Sequence, residues 1–98
     1  MDLNKWLKEK FVAKSFRIDL EQEHRPSRTE QIRAIEQYAA FTGEKLRFLR
    51  QEEELLFLLD KDCYRAELTY ARERGYYGHR LICRQILEEE DLYLPKGV

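Results

Sequence analysis

Glycine, cysteine and proline are scarce in this chain of 98 residues, and each scarcity excludes something. The four glycines, at 43, 75, 78 and 97, form no closely spaced loop of the kind that brings backbone N–H groups onto a phosphate. Two cysteines are too few for a disulfide framework and suit a reducing compartment. Cys63, Cys83, His24 and His79 do not have the spacing of a zinc site, so no metal or cofactor is expected. The longest apolar run is five residues, far short of a membrane span. The opening MDLNKWLKEK has no apolar stretch of the secretory type, and a cytoplasmic location is the expectation. A formal net charge of −1 supplies no global field toward nucleic acid or membrane.

What is present suits a globular domain, with 38% charged and 43% hydrophobic residues. The chain reads as a single domain over 1–98: an amphipathic helix at 1–14, an α+β core at 15–87, and an acidic and apolar tail at 88–98. In the first helix Leu3, Trp6, Leu7 and Phe11 share a face and Asp2 can cap its start. That face either docks on the domain's own sheet or offers a second binding surface through Trp6 and Phe11.

Phe16, Ile18 and Leu20 alternate with Arg17, Asp19 and Glu21, the period of a half-buried strand. Pro26 holds the next residues in a loop. Ser27 followed by Glu30 is a capping-box pair, and Gly43 is a C-terminal stop. Between them the spacing predicts a helix with Ile32, Ile35, Tyr38 or Ala39, and Thr42 on one face. Lys45–Arg50 predicts a strand with Leu46 and Phe48 inward. Leu55–Leu59 is apolar at every position, and Tyr64, Ala66, Leu68 and Tyr70 alternate inward after an Asp60-Lys61-Asp62 turn. A break from Gly75 to Gly78 precedes a last strand, Leu81–Leu87. The expected architecture is α+β: an N-terminal helix, then strand–helix–strand and a three-stranded antiparallel meander, making a mixed five-stranded sheet with the helix on one face.

Leu55–Leu59 poses a demand of its own. Apolar side chains on both faces of one strand must be covered on both, since each leucine left wet forgoes about 1.5–3 kcal/mol. The cover is the Trp6 helix, the Leu92–Leu94 tail or another chain, and the last would make a homodimeric structural protein.

No catalytic constellation is visible, and the chain is expected not to be an enzyme. Cys83 and His79 lie four apart on a strand, about 13 Å by strand rise, too far for a nucleophile and its base. A similar offset separates Cys63 from Cys83 in the expected hairpin, which predicts free thiols. The cluster that stands out is Tyr70 to Arg80. Over 63–84 there are five basic residues (65, 72, 74, 80 and 84) against two acidic (67 and 73). Arg72, Arg74, Tyr76, Tyr77, His79 and Arg80 at a hairpin tip combine the residue types enriched in protein interfaces, so another protein is the expected partner. The same side chains can stack bases and neutralise phosphates, which keeps single-stranded nucleic acid as an alternative. Plain solvated turn decoration is the third reading.

Taken together, FRIDL, RTEQIRAIEQYAAFTGEKL and LDKDCYRAELTYARERGYYGHRLICRQI resemble a small domain family of unknown function from Firmicutes and their mobile elements, over about residues 14–87. Where that pattern has a glycine in the first hairpin turn, this chain has Lys61-Asp62. The resemblance implies the α+β fold and no catalytic residues. Its setting suggests an inhibitor or regulator of a host machine, for example an anti-defence protein.

Overall fold

The computed structural model describes residues 13–87, so the expected helix bearing Trp6 and Phe11 and the tail bearing Leu92–Leu94 lie outside the described residues. The order is β1 (Ser15–Asp19), α1 (Arg28–Thr42), β2 (Leu46–Arg50), β3 (Leu55–Leu59), β4 (Asp62–Glu73) and β5 (Tyr76–Gln85). The five strands form one sheet in the order β1-β5-β4-β3-β2, and every neighbouring pair is antiparallel.

The expected mixed sheet is therefore corrected to an all-antiparallel one. β1 and β2 do point the same way, as a strand–helix–strand unit suggests, but they are not neighbours. The β3–β4–β5 meander fills the space between them, so α1 crosses from one edge of the sheet to the other.

α1 begins and ends where its local chemistry requires. Ser27 Oγ accepts from the Glu30 N–H at 3.1 Å, and a Glu30 carboxylate oxygen accepts from the Ser27 N–H at 3.2 Å. Both halves of the capping box are made. At the other end Gly43 takes φ 78°, where a Cβ is disfavoured, and its N–H donates to Ala39 O. The buried residues of α1 are Gln31, Ile35 and Ala39, whereas Thr42 is exposed. Gln31 can be buried because its Nε2 donates to Pro26 O at 3.2 Å.

Ile35 and Ala39 press on Leu55, Phe57, Leu59, Tyr64, Ala66, Leu81 and Cys83, one face of the sheet by the period of two. An aromatic row crosses beneath the helix. Phe48, Phe57, Tyr64, Phe16 and Tyr38 follow one another at centroid separations of 6.0, 5.8, 5.0 and 4.4 Å.

On β3, Leu55, Phe57 and Leu59 face the helix. Leu56 lies on the opposite face and is only 2% exposed, so this strand is dry on both sides at its centre. Arg50 and Arg65 are its cross-strand neighbours. Both pair with buried Glu54, Arg50 at 3.3 Å and Arg65 at 2.9 Å, the latter a Coulombic contact without hydrogen-bond alignment.

The Asp60-Lys61 turn manages without glycine because Asp60 itself takes φ 54°. Its carboxylate accepts from the Lys45 N–H at 2.9 Å, and its own N–H donates to Lys45 O. The expected break at Gly75–Gly78 shrinks to Arg74-Gly75, and Gly78 lies inside β5.

Candidate functional site

β4 and β5 are the longest strands, and their register carries them past the rest of the sheet. β3 leaves β4 after Ala66, and β1 leaves β5 after Arg80, while β4 and β5 stay paired out to Glu73 and Tyr76. The result is a hairpin that projects beyond the helix-covered core, closed by Gly75 at φ 86°. Side chains on it alternate between two faces, and the two faces do different things.

One face is a lock. Arg80 is 5% exposed; its Nε donates to Asp19 Oδ1 at 2.6 Å, and its Nη1 and Nη2 donate to the Glu73 carboxylate at 2.9 and 3.4 Å. The guanidinium also lies over the Tyr76 ring, 4.9 Å from its centroid. Arg17 approaches the same Glu73 carboxylate at 3.8 Å. Hydrogen bonds from Arg80, followed by its charge, hold the Glu73 carboxyl below the usual carboxylate range.

The chain that leaves β1 is fastened onto the same hairpin. Tyr76 Oη donates to His79 O at 2.7 Å and accepts from the Glu21 N–H at 3.1 Å. The His79 N–H donates to Gln22 O at 2.9 Å, and His79 Nδ1 stands 3.2 Å from that oxygen. Gly78 is buried beneath this crossing: a Cβ there would come within 3.0 Å of Gln22 O. Of the residues expected at the tip, Arg80, Tyr76 and His79 are thus engaged by the protein itself.

The other face is open. Tyr70 is opposite His79, and Arg72 is opposite Tyr77. The Tyr70 and His79 rings meet edge-on at 5.1 Å, and the Arg72 guanidinium lies 5.6 Å from the centroid of the Tyr77 ring. Tyr77 is 60% exposed and Tyr70 44%, and Arg72 and Arg74 are exposed. Tyr70 does lie on the helix-facing side, as its alternation implies, but beyond the end of the helix, so it is surface rather than core. Only the strand register reveals this. The open ladder is therefore Tyr70, Arg72 and Tyr77, with His79 at its base and Arg74 in the turn.

Other chemistry is sparse among the described residues. Cys63 and Cys83 are both free, and burial pushes the Cys83 thiol up to about 12. Among the described residues there is no group of three His, Cys, Asp or Glu side chains placed to hold a metal ion, and no helix long and apolar enough to cross a membrane. Compared with models of protein families, with curated proteins and with solved structures, the chain matches none of them.

Proposed function

We propose that this chain is a non-enzymatic binding module that docks on another protein through the open face of its β4–β5 hairpin. The observation that carries the reading is the division of labour between the two faces. A charged lock of Asp19, Arg80 and Glu73 holds the hairpin, and Tyr70, Arg72, Arg74 and Tyr77 are left exposed. Tyrosine and arginine are the side chains that most often anchor interfaces, because each joins a large apolar area to a polar tip. Presenting them on a preordered ladder lowers the entropy lost on binding. In the setting the resemblance suggests, such a module would act as an inhibitor or regulator of a host machine.

The test compares capture from the native host by the natural chain and by the double variant Arg72→Ala, Tyr77→Ala, followed by mass spectrometry. A protein held by the first and lost by the second supports the reading, provided both melt alike. Equal capture by both places the contact elsewhere.

Single-stranded nucleic acid is the second reading, favoured by an exposed tyrosine ring with an arginine 5.6 Å from its centroid, the residue types that stack bases and neutralise phosphates. Affinity for single-stranded oligonucleotides that falls steeply with salt would support it. A flat titration at low salt would remove it.

A further inference from the structure

Among the described residues, β1 and β2 are the two edges of the sheet. An edge strand presents a row of unpaired backbone groups that will accept another strand unless something blocks it. β2 is blocked. Its register slips between Phe48 and Arg50, and its charged side chains, Arg47 and Arg50, are of one sign, so no register of two copies gives an opposite-charge pair within the strand.

β1 has neither device. Ser15–Asp19 pairs with Arg84–Arg80 without a slip. The Leu20 N–H donates to His79 O and the Gln85 N–H donates to Lys14 O, so even-numbered residues turn their backbone groups toward β5. Those of Ser15, Arg17 and Asp19 consequently point outward, with no partner strand among the described residues.

We propose that β1 pairs antiparallel with β1 of a second copy, about a two-fold axis through Ile18. In that register the outward backbone groups of Arg17 meet those of the second copy's Asp19, and the reverse, so two opposite-charge pairs form at once. On the helix-facing side Ile18 meets its own copy, and Phe16 meets Leu20. Moving the axis to Arg17 would set Arg17 against Arg17, and moving it to Phe16 would set Arg17 against Ser15. The charge pattern therefore selects one register.

The axis stands perpendicular to the sheet, so the two sheets become one and both α1 helices lie on the same side. Between β1 and α1 runs a groove of about 400 Å³ whose walls include Ile18, Leu20, Tyr38 and Phe41. Phe41 is 90% exposed, the most exposed of the large apolar side chains described. Across the axis the two grooves face each other, which takes Phe41 out of water. This surface is distinct from the hairpin ladder, and the pairing stands or falls separately from it.

Sedimentation equilibrium on the full chain is the first measurement, with an expected mass that rises with concentration from 12.0 kDa to twice that value. Arg17→Glu places a carboxylate opposite Asp19, and Phe41→Ser removes the exposed ring. Both positions are exposed, and Arg17 meets the lock only through its 3.8 Å approach to Glu73, so far-UV circular dichroism should be unchanged while the dimer weakens about tenfold or more in each. Hydrogen exchange locates the contact. The Arg17 and Asp19 amides should be slow in the dimer and fast in Arg17→Glu, while those of Phe16 and Ile18 stay slow in both. A mass that remains monomeric at every concentration overturns the proposal, whatever covers the edge. So does a dimer that both variants leave intact, or one in which the Arg17 and Asp19 amides exchange freely.

Discussion

Arg80 Nε and Asp19 Oδ1 are 2.6 Å apart, joining the last residue of β1 to the cross-strand partner it has in β5. The bond closes the sheet's first strand onto the base of the projecting hairpin, and Glu73 takes the remaining guanidinium nitrogens. Removing the arginine leaves the Asp19 and Glu73 carboxylates near each other without the cation that bonds both. Arg80→Met should therefore lower the melting temperature most, Asp19→Asn less, and Glu73→Gln least, since Asp19 holds the shorter bond and is the less exposed acid. A reversed order in thermal melts would show that the hairpin is held by something other than this lock.

Acid should loosen the structure at two places. The Glu73 carboxyl is held below its ordinary value of 4.5 first by hydrogen bonds from Arg80, and that of Glu30 by hydrogen bonds from Gln22 and then Ser27. A carboxyl whose value is lowered on folding contributes stability that is complete above its unfolded value and lost as pH falls through the folded one. Urea midpoints should thus be flat above about pH 5 and decline below about pH 4.5. Glu73→Gln and Glu30→Gln should each make that decline shallower, and an unchanged slope in the double variant would count against the assignment.

A side chain at Gly78 should be costly. Its φ is 150°, and the Gln22 backbone oxygen and nitrogen lie 3.0 and 3.1 Å from where a Cβ would be. Neither is a flexible side-chain end, so the Gln22 crossing must shift. Gly78→Ala should cost about 1–3 kcal/mol in denaturant unfolding. Gly43→Ala, which meets nothing within 4 Å but keeps a positive φ, should cost about 1 kcal/mol.

The two faces of the hairpin should separate in a stability screen. Tyr76→Phe removes the hydroxyl that bridges Glu21 N–H and His79 O and should cost about 1 kcal/mol. Arg72 and Tyr77 are exposed and stack on each other, so Tyr77→Ala and Arg72→Ala should each stay within about 0.5 kcal/mol. If Tyr77→Ala destabilises as much as Tyr76→Phe, the open ladder is structural and not a contact.

Thiol chemistry offers a local probe of the core. Burial raises both cysteine thiols, Cys83 to about 12. At about pH 8 a thiol reagent should modify half-buried Cys63 first and reach Cys83 only as fast as the protein opens. Equal rates would mean that the sheet opens locally around β5.

Much of the local structure is legible in the sequence. The capping box at Ser27 and Glu30, the stop at Gly43, the glycine-free turn at Asp60 and the inward set from Phe16 to Leu68 all depend on neighbours a few residues away or on a period of two. The site was only half legible. Arg72, Arg74, Tyr76, Tyr77, His79 and Arg80 look alike as a string of basic and aromatic residues. Which of them are engaged depends on Asp19, Glu21 and Gln22, more than fifty residues earlier in the chain.

Spacing alone determined one capped helix, five strands and a core beneath the helix, because those follow from short-range sterics and the burial of apolar faces. Strand neighbours are another matter. Whether β1 sits beside β2 or across the sheet from it depends on contacts between segments far apart in the chain, and no local pattern encodes that choice. Tertiary structure alone decided that Arg80 is locked inside while Arg72 stays exposed, since burial of a side chain is settled by what the folded chain brings over it.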